Sequence, residues 1–156
     1  VHVIDAMLSL AGPIEMVTAQ SYRLAQDFGA DDTTSMLLRF ANGATGYLGT
    51  VIASAETWRM QIFGSNGWAQ VGDVEHLTTW ELSTCMIDRD QITVKQRPTI
   101  RSFPKTSTER AELEHFAQQA SARQPLALPG GDAVHNVAVL QAILDSIATQ
   151  QPVRVA

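Results

Sequence analysis

Residues 34–53 read TSMLLRFANGATGYLGTVIA and contain two alternating runs joined by the pair Asn42-Gly43. An Asn-Gly pair can adopt the positive φ angles that a two-residue hairpin turn requires. Alternation of side chains with a period of two is typical of β-strands. The stretch therefore predicts an antiparallel hairpin built from residues 34–41 and 44–53.

The two faces of this hairpin are both partly apolar. Met36, Leu38 and Phe40 share one face of the first strand, and Leu37 lies on the other. A sheet with apolar residues on both faces is usually covered on both. We expect a helix layer on one face and a partner subunit on the other.

The period of two continues through the middle of the chain. It predicts further strands at Ile14–Leu24, Trp58–Phe63, Trp68–Val71, Leu77–Leu82 and Ile92–Val94, with a short last strand at Val153–Val155. The stretch from Gly64 to Gly67 has the composition of a second turn. Most of the strands follow one another directly, which favours antiparallel pairing.

Apolar residues at three- and four-residue spacing predict three helices. The first covers Val1–Ala11 and ends at Gly12-Pro13, because proline cannot continue the hydrogen-bond ladder. The second starts at the capping-box spacing of Thr106 and Glu109. The third runs from Ala133 to Thr149 with Asp132 as its N-cap, and its apolar residues predict a largely buried core helix. The predicted class is α+β: an open, predominantly antiparallel sheet with helices packed on one face.

The composition excludes several classes of partner. The chain has 156 residues, 16 acidic against 11 basic side chains and a net charge of −5, with no basic run to neutralise phosphates. We therefore expect no nucleic acid partner, and no membrane span because the first apolar stretch is too short. The single cysteine, Cys85, cannot form an internal disulfide, so a cytoplasmic setting is the expectation. Cys85 itself has the context of a small buried residue rather than a nucleophile.

His2 and Asp5 form the sharpest local signal for chemistry. They are three residues apart on a predicted helix, so they share a face away from the apolar stripe. Histidine titrates near neutral pH and can exchange a proton with a substrate hydroxyl, while a nearby carboxylate can orient the ring. The spacing alone favours the alternative, a surface histidine followed by a solvated aspartate.

A second candidate is the polar and aromatic cluster Glu56-Thr57-Trp58-Arg59 at the entrance to a strand. Tryptophan offers an apolar ring face, and the charged side chains offer hydrogen bonds, which together suit a polyhydroxylated substrate. The alternative is an edge strand with charged side chains in water and Trp58 in the core.

The glycine and histidine patterns of the sequence do not predict a phosphate-binding or metal-binding site. Gly43, Gly46 and Gly49 lie within strand-like sequence with no helix opening behind them, so they do not predict a phosphate loop. The chain has four histidines, and Glu112 with His115 has helical spacing, but no paired-ligand motif for a metal is present. We assign no cofactor-binding residue and no metal ligand to this chain.

Several short phrases occur along the chain in a characteristic order and spacing. They are His2-Val-Ile-Asp5, Asp31-Asp32, Phe40-Ala-Asn-Gly43-Ala-Thr-Gly46, Ile62-Phe-Gly64-Ser-Asn-Gly67, Leu113-Glu-His-Phe116, and Ala142-Ile-Leu-Asp-Ser146 before Pro152-Val153. Together they resemble the C-terminal domain of the glucose-fructose oxidoreductase, inositol dehydrogenase and rhizopine-catabolism family, called Gfo/Idh/MocA. The resemblance covers nearly the whole chain.

The resemblance implies a dihydrodipicolinate-reductase-like C-terminal domain over residues 1–156, which binds substrate and joins subunits into a dimer or tetramer. In such a protein an N-terminal Rossmann domain holds NAD or NADP, and this chain contains neither that domain nor its GxGxxG motif. The missing initiator Met likewise predicts that the chain is part of a longer protein. We expect no cofactor bound to this chain alone and no hydride transfer by it.

The resemblance also implies roles for individual residues. His2 matches the histidine and Asp5 the second aspartate of the family pattern DxxxHxxD, which predicts a catalytic proton-transfer group and its orienting carboxylate. Glu56, Thr57, Trp58 and Arg59 match the segment from which relatives draw substrate contacts. The intact protein is then an NAD(P)-dependent oxidoreductase that acts on the CH–OH group of a sugar, a polyol or a related small molecule.

Two readings from other classes remain open. The first is a stand-alone α+β module that binds a ligand or dimerises without catalysis. The second is a small metalloprotein, which a measurement of bound metal would test. A nucleotide-binding domain encoded in frame upstream of Val1 would separate the enzyme from the module.

Overall fold

A computed structural model of the chain describes residues 1–25, 27, 29–72, 74, 79–90, 96–123 and 133–156. Its elements, in chain order, are α1 His2–Ala11, β1 Ile14–Tyr22, β2 Thr33–Phe40, β3 Thr45–Val51, β4 Met60–Gly64, β5 Gly67–Val71, β6 Glu81–Met86, β7 Thr99–Ser102, α2 Thr108–Ser121, α3 Ala133–Thr149 and β8 Val153–Arg154. They divide into two compact units, Val1–Ser54 with Pro125–Ala156, and Ala55–Gln124.

Each unit contains one four-stranded antiparallel sheet. The first has the strand order β3-β2-β1-β8, and the second has the order β4-β5-β6-β7. The predicted α+β class with antiparallel strands is confirmed. The prediction of one open sheet is refined, because the described strands form two sheets. The organisation of residues 1–156 as a single C-terminal domain stays a prediction.

Some predicted boundaries differ from the structure. The strand predicted at Leu77–Leu82 is β6, which begins only at Glu81, and β7 was not predicted because its four residues are too short to show a period. The predicted strand Ile92–Val94 and the predicted N-cap Asp132 lie outside the described residues. The hairpin at Asn42-Gly43 is confirmed, with a hydrogen bond from the Ala44 N–H to the Asn42 side chain. The predicted two-residue turn with positive φ at both residues is wrong, because only Gly43 of the pair has a positive φ, 87°, and its N–H bonds the Phe40 carbonyl in a longer turn.

The core of the first unit lies between its sheet and the helices α1 and α3. Paired residues of antiparallel strands share a face, so the rows Val17–Leu38 and Ala19–Met36 point to the same side. All four are buried with Ile4 and Leu8 of α1 and Val139, Ala142 and Ile143 of α3. The helices therefore cover one face of this sheet, and Leu37 on the other face is 60% exposed.

The third helix is less buried than the sequence predicted. Val139, Ala142 and Ile143 face the core, but Val134, Val137 and Leu144 are exposed. Their apolar character alone predicted contact with a core, whereas the sheet is only wide enough to cover one side of the helix. The prediction of a largely buried helix is therefore wrong, although its bounds, Ala133–Thr149, are confirmed.

Ser146 binds α3 to the first sheet at a point where β1 is paired with β2 but not with β8. β8 pairs with β1 only as far as Val17, so the N–H of Ala19 lies beyond the paired segment. The Ser146 Oγ accepts a hydrogen bond from that N–H at 2.9 Å and donates one to the Gln151 carbonyl at 2.6 Å. Ser146 is fully buried, so no water replaces either bond.

We predict that Ser146→Ala lowers the free energy of unfolding by about 1–3 kcal/mol, because it leaves the N–H of the buried Ala19 without a partner and removes the bond to the Gln151 carbonyl. Urea denaturation measures the loss. The matched control is Thr149→Ala, which removes an exposed hydroxyl that bonds the Asp145 carbonyl and is expected to cost less than about 0.5 kcal/mol. Equal losses in the two variants would contradict the role of Ser146.

The N-cap of the second helix lies one residue after the predicted one, Thr106. Ser107 is the N-cap, and its Oγ accepts a hydrogen bond from the Arg110 N–H at 3.2 Å. Thr106 instead donates to the Pro104 carbonyl, so it does not cap the helix. Hydrogen bonds from its own backbone N–H and from the Ser107 hydroxyl lower the pKa of Glu109 below its usual range. The predicted apolar side of this helix is present, but Leu113 and Phe116 are exposed.

The lowered pKa of Glu109 predicts a pH-dependent start of α2. A carboxylate whose pKa is lower in the folded state stabilises that state above its unfolded pKa, and the effect disappears as pH falls through the lowered value. Backbone NMR shifts of residues 108–111 should therefore lose helical character on acidification. Glu109→Gln should remove this pH dependence and Glu112→Gln, one turn further along, should keep it. The same acid response in the Glu109→Gln variant would contradict the prediction.

Among the described residues, no helix combines the length and apolar character that crossing a bilayer requires.

Candidate functional site

The helix that carries His2 and Asp5 is held at its C-terminal end by the β2–β3 hairpin. Gly12 follows the helix with a φ of 85°, and its N–H donates to the Leu8 carbonyl. The Asn42 side-chain amide donates to the Ala11 carbonyl at 2.9 Å. These bonds satisfy carbonyl groups that the last turn of a helix leaves without a partner.

Gly46 lets the middle of α1 approach the sheet closely. A Cβ at Gly46 would lie 2.7 Å from the Met7 Cε and 3.3 Å from the Phe40 Cε2, which is closer than side chains normally pack. The missing side chain therefore makes room for Met7 on β3. With the cap at Asn42, this contact fixes the direction of α1 across its sheet.

His2 and Asp5 lie on the face of α1 that points away from the core. Ile4 and Leu8 are buried, while His2 and Asp5 are exposed. The helical spacing that the sequence predicted is thus present, and it brings the two side chains to one face. Within the described part of the chain, no hydrogen bond or ion pair joins them. Both are available for a ligand.

The Glu56-Thr57-Trp58-Arg59 cluster belongs to the second unit and lies directly before β4. Glu56, Thr57 and Arg59 are exposed, and Trp58 is half-buried. Trp58 is thus neither a core residue nor a fully solvated one. His2 and Asp5 are in the first unit, so the two predicted sets of site residues are in different compact units.

Two further aromatic residues lie at the same end of the second sheet. β4 and β6 begin at this end and β7 finishes there, because neighbouring strands are antiparallel. Trp80 precedes β6 and Phe103 follows β7, and the Phe103 N–H donates to the Trp80 carbonyl at 2.8 Å. The guanidinium of Arg101 lies 4.7 Å from the centre of the Phe103 ring. This grouping of aromatic residues was not predicted from the sequence, because the residues are far apart along the chain.

The described residues do not offer a metal site. No group of three or more His, Cys, Asp or Glu side chains that could hold a metal ion occurs among them. Glu112 and His115 share α2, where the Nε2 of His115 is 3.5 Å from the side-chain amide of Gln119. His76 lies outside the described residues. Cys85 is buried in β6, as its sequence context predicted.

The described residues also do not fit a nicotinamide dinucleotide. Such a cofactor is held where a glycine-rich turn follows a parallel strand and opens a helix. Here all described strand pairs are antiparallel, and Gly43, Gly46 and Gly49 lie in the β2–β3 hairpin. α2 is preceded by its N-cap Ser107 and has Glu109 in its first turn, with no glycine at either position. We assign no cofactor contact to this chain.

Comparisons with known proteins extend these observations. Residues 1–70 match the family model described as the GFO/IDH/MocA C-terminal domain. A protein described as an NADPH-dependent oxidoreductase from Desulfitobacterium hafniense has a similar structure, with a TM-score of 0.83 and 21% identity over 99% of this chain and 46% of its own. No curated protein matches the chain.

Two other solved structures are similar in fold. Levoglucosan dehydrogenase in complex with NADH has a TM-score of 0.79 and 18% identity, over 99% of this chain and 48% of its own. The WlbA dehydrogenase from Bordetella pertussis, in complex with NADH and UDP-GlcNAcA, has a TM-score of 0.70 and 20% identity, over 99% of this chain and 43% of its own.

The chain thus spans less than half the length of the solved structures it resembles. At these identities the likeness shows the fold. The resemblance predicted from the sequence is confirmed: residues 1–70 carry the pattern of the GFO/IDH/MocA C-terminal domain, and the chain has the fold of the corresponding part of these oxidoreductase structures.

Proposed function

We propose that the chain is the substrate-side domain of an NAD(P)-dependent oxidoreductase that acts on a hydroxyl-bearing carbon of a sugar, polyol or related molecule. The observation that carries the proposal is the match of residues 1–70, which begins on the helix of His2 and Asp5. The dinucleotide would be held by a Rossmann domain of the intact protein, outside this chain. The chain would then supply substrate contacts, a proton-transfer group and subunit contacts.

His2 is proposed to exchange a proton with the reacting hydroxyl. Its exposed position at the start of α1 leaves the imidazole able to contact a ligand, and histidine can donate or accept a proton near neutral pH. Asp5 stands three residues later on the same face, from which it can orient the imidazole or contact the substrate. The buried residues Ile4 and Leu8 hold the helix in place, so the positions of both side chains depend on the core.

The cluster at residues 56–59 is proposed to contact the substrate. Arg59 and Glu56 are exposed and can bond hydroxyl groups, and the half-buried Trp58 offers an apolar surface to the C–H face of a sugar ring. The relatives in the solved structures include a levoglucosan dehydrogenase and an enzyme in complex with UDP-GlcNAcA, which supports a carbohydrate substrate. We keep a cytoplasmic setting as part of the proposal, because the chain has one cysteine and needs no disulfide.

We predict that the intact protein oxidises at least one member of a panel of levoglucosan, UDP-GlcNAcA, aldoses and inositols with NAD or NADP. His2→Ala should lower kcat/KM about 10²–10⁴-fold, the range expected for a lost general acid or base. The change in absorbance as the cofactor is reduced measures both the substrate range and kcat/KM.

The control for this prediction is His115→Ala, which removes a histidine from α2 in the second unit. It should leave kcat/KM within about twofold of the parent value, because the proposal gives His115 no contact with the substrate. Unchanged turnover in His2→Ala would remove His2 from the proposed role. A protein without activity on any substrate and cofactor, but which binds a ligand, would favour the stand-alone binding module.

The uncovered face of the first sheet is proposed to join subunits. Leu37 pairs with Tyr47, and Thr33 pairs with Val51, which places all four on the face opposite the helices. Leu37 is 60% exposed, and Tyr47 and Val51 are more than half exposed. Tyr47 lies along this face, because a Cβ added at Gly49 would meet its ring. Exposed apolar side chains grouped on one face of a sheet are typical of a protein interface, which supports the proposal.

We predict that Leu37→Lys converts an oligomer of the intact protein into smaller species, because a lysine would be desolvated in the interface. Light scattering after size-exclusion chromatography measures the mass. The matched control is Leu144→Lys, since Leu144 has nearly the same exposed fraction, 61%, but lies on α3. Dissociation by the control alone would contradict the proposed interface, and so would a monomeric parent protein.

A further inference from the structure

We propose that Gly72 is a positioning residue that holds the Trp58 indole as a stacking platform for a sugar ring. The inference rests on the proposed function, because it takes Trp58 as a substrate contact. It goes further by assigning the residue that orients Trp58 and the end of the sheet at which the ring would stack. Gly72 is not among the predicted site residues, and it is 14 positions away from Trp58 in the sequence.

The backbone at Gly72 brings it directly against Trp58. The last pair of the β4–β5 ladder is Met60 with Val71, so the residues just before β4 lie beside the residues just after β5. A Cβ added at Gly72 would overlap the Trp58 carbonyl oxygen and the ring atom Cε3, and it would lie 2.9 Å from Cζ3. The six-membered ring of the indole therefore packs on the bare backbone of Gly72.

Two independent features require glycine at this position. The φ of Gly72 is 91°, in the left-handed region that side chains disfavour, and the space beside its Cα is filled by Trp58. Gly43 and Gly29 have similar φ values, 87° and 90°, but nothing lies within 4 Å of an added Cβ at either. The strain of a positive φ can thus be separated experimentally from the contact with the indole.

The groups at the end of the second sheet that holds Trp58 support a carbohydrate as ligand. Trp58, Trp80 and Phe103 lie at one end of the second sheet, and Trp58 and Trp80 are both half-buried. Exposed polar side chains stand at the same end, among them Arg59, Glu81 and Ser102, and the Ser102 hydroxyl donates to Glu81 at 3.3 Å. Apolar ring faces beside hydrogen-bonding groups complement a sugar, whose C–H face is apolar and whose rim carries hydroxyls.

The test combines substrate kinetics with an NMR probe of Trp58 in the full-length protein. Gly72→Ala should displace the indole, which shifts the Trp58 Nε1–H signal, assigned by its loss in Trp58→Phe. It should also raise KM for the sugar about five- to tenfold, the value of one aromatic stacking contact, with kcat changed less than about twofold. Gly29→Ala, the control for backbone strain, should leave KM and the indole signal unchanged.

A double-mutant cycle separates positioning from a general structural effect. Trp58→Leu should raise KM by a similar factor, and Gly72→Ala added to Trp58→Leu should raise it no further. An equal rise in the two backgrounds would overturn the proposal, because Gly72 would then act without the indole. An unchanged KM in Gly72→Ala would also overturn it. If Gly72→Ala does not fold, an unchanged KM in the single variant Trp58→Leu would overturn the proposal.

Failure of this inference can be told apart from failure of the proposed function. If the wild-type protein oxidises no sugar of the panel, the proposed reaction fails. Titration with levoglucosan then still tests the platform, because binding should shift the Trp58 Nε1–H signal in the parent and in Gly29→Ala but not in Gly72→Ala. A signal that shifts equally in all three proteins, or in none, would overturn the positioning role of Gly72.

Discussion

The burial of α1 and α3 on one face of the first sheet is the interaction on which the remaining features depend. Ile4 and Leu8 each leave water to contact this face, and burying a side chain of this size contributes about 1.5–3 kcal/mol. Because a helix has 3.6 residues per turn, burying positions 4 and 8 turns positions 2 and 5 outward. The same packing leaves Leu37 and Tyr47 on the uncovered face. One contact layer therefore determines both the candidate catalytic face and the candidate subunit interface.

Local patterns were sufficient to predict most of the elements. The hairpin at Asn42-Gly43, the spacing in α1 and the bounds of α3 all depend on residues close together in the chain, and the structure confirms them. The order of elements also predicted the α+β class with antiparallel strands. The exposure of Val137 and Leu144 could not be predicted, since helix periodicity does not say how much of a helix its sheet can cover.

Features that depend on distant contacts were not accessible from the sequence. The division of the strands into two sheets depends on which strand edges pair, and Ser146 bonding the N–H of Ala19 depends on where β8 stops. In the same way, the sequence predicted Trp58 at the start of a strand. The contact between Gly72 and the indole could not be predicted, because it depends on the β4–β5 ladder that brings the two residues together. Candidate chemical groups could be proposed from residue type and spacing, whereas the contacts around them required the fold.

The central claim is that α1, held by its buried side against the first sheet, presents His2 and Asp5 to a substrate whose cofactor is bound by another part of the intact protein. A crystal structure of the full-length protein with nicotinamide cofactor and a bound sugar tests it most directly. The account predicts a His2 ring nitrogen within about 3 Å of a hydroxyl on the reacting carbon. A His2 side chain directed into bulk water, with the sugar bound elsewhere, would contradict it.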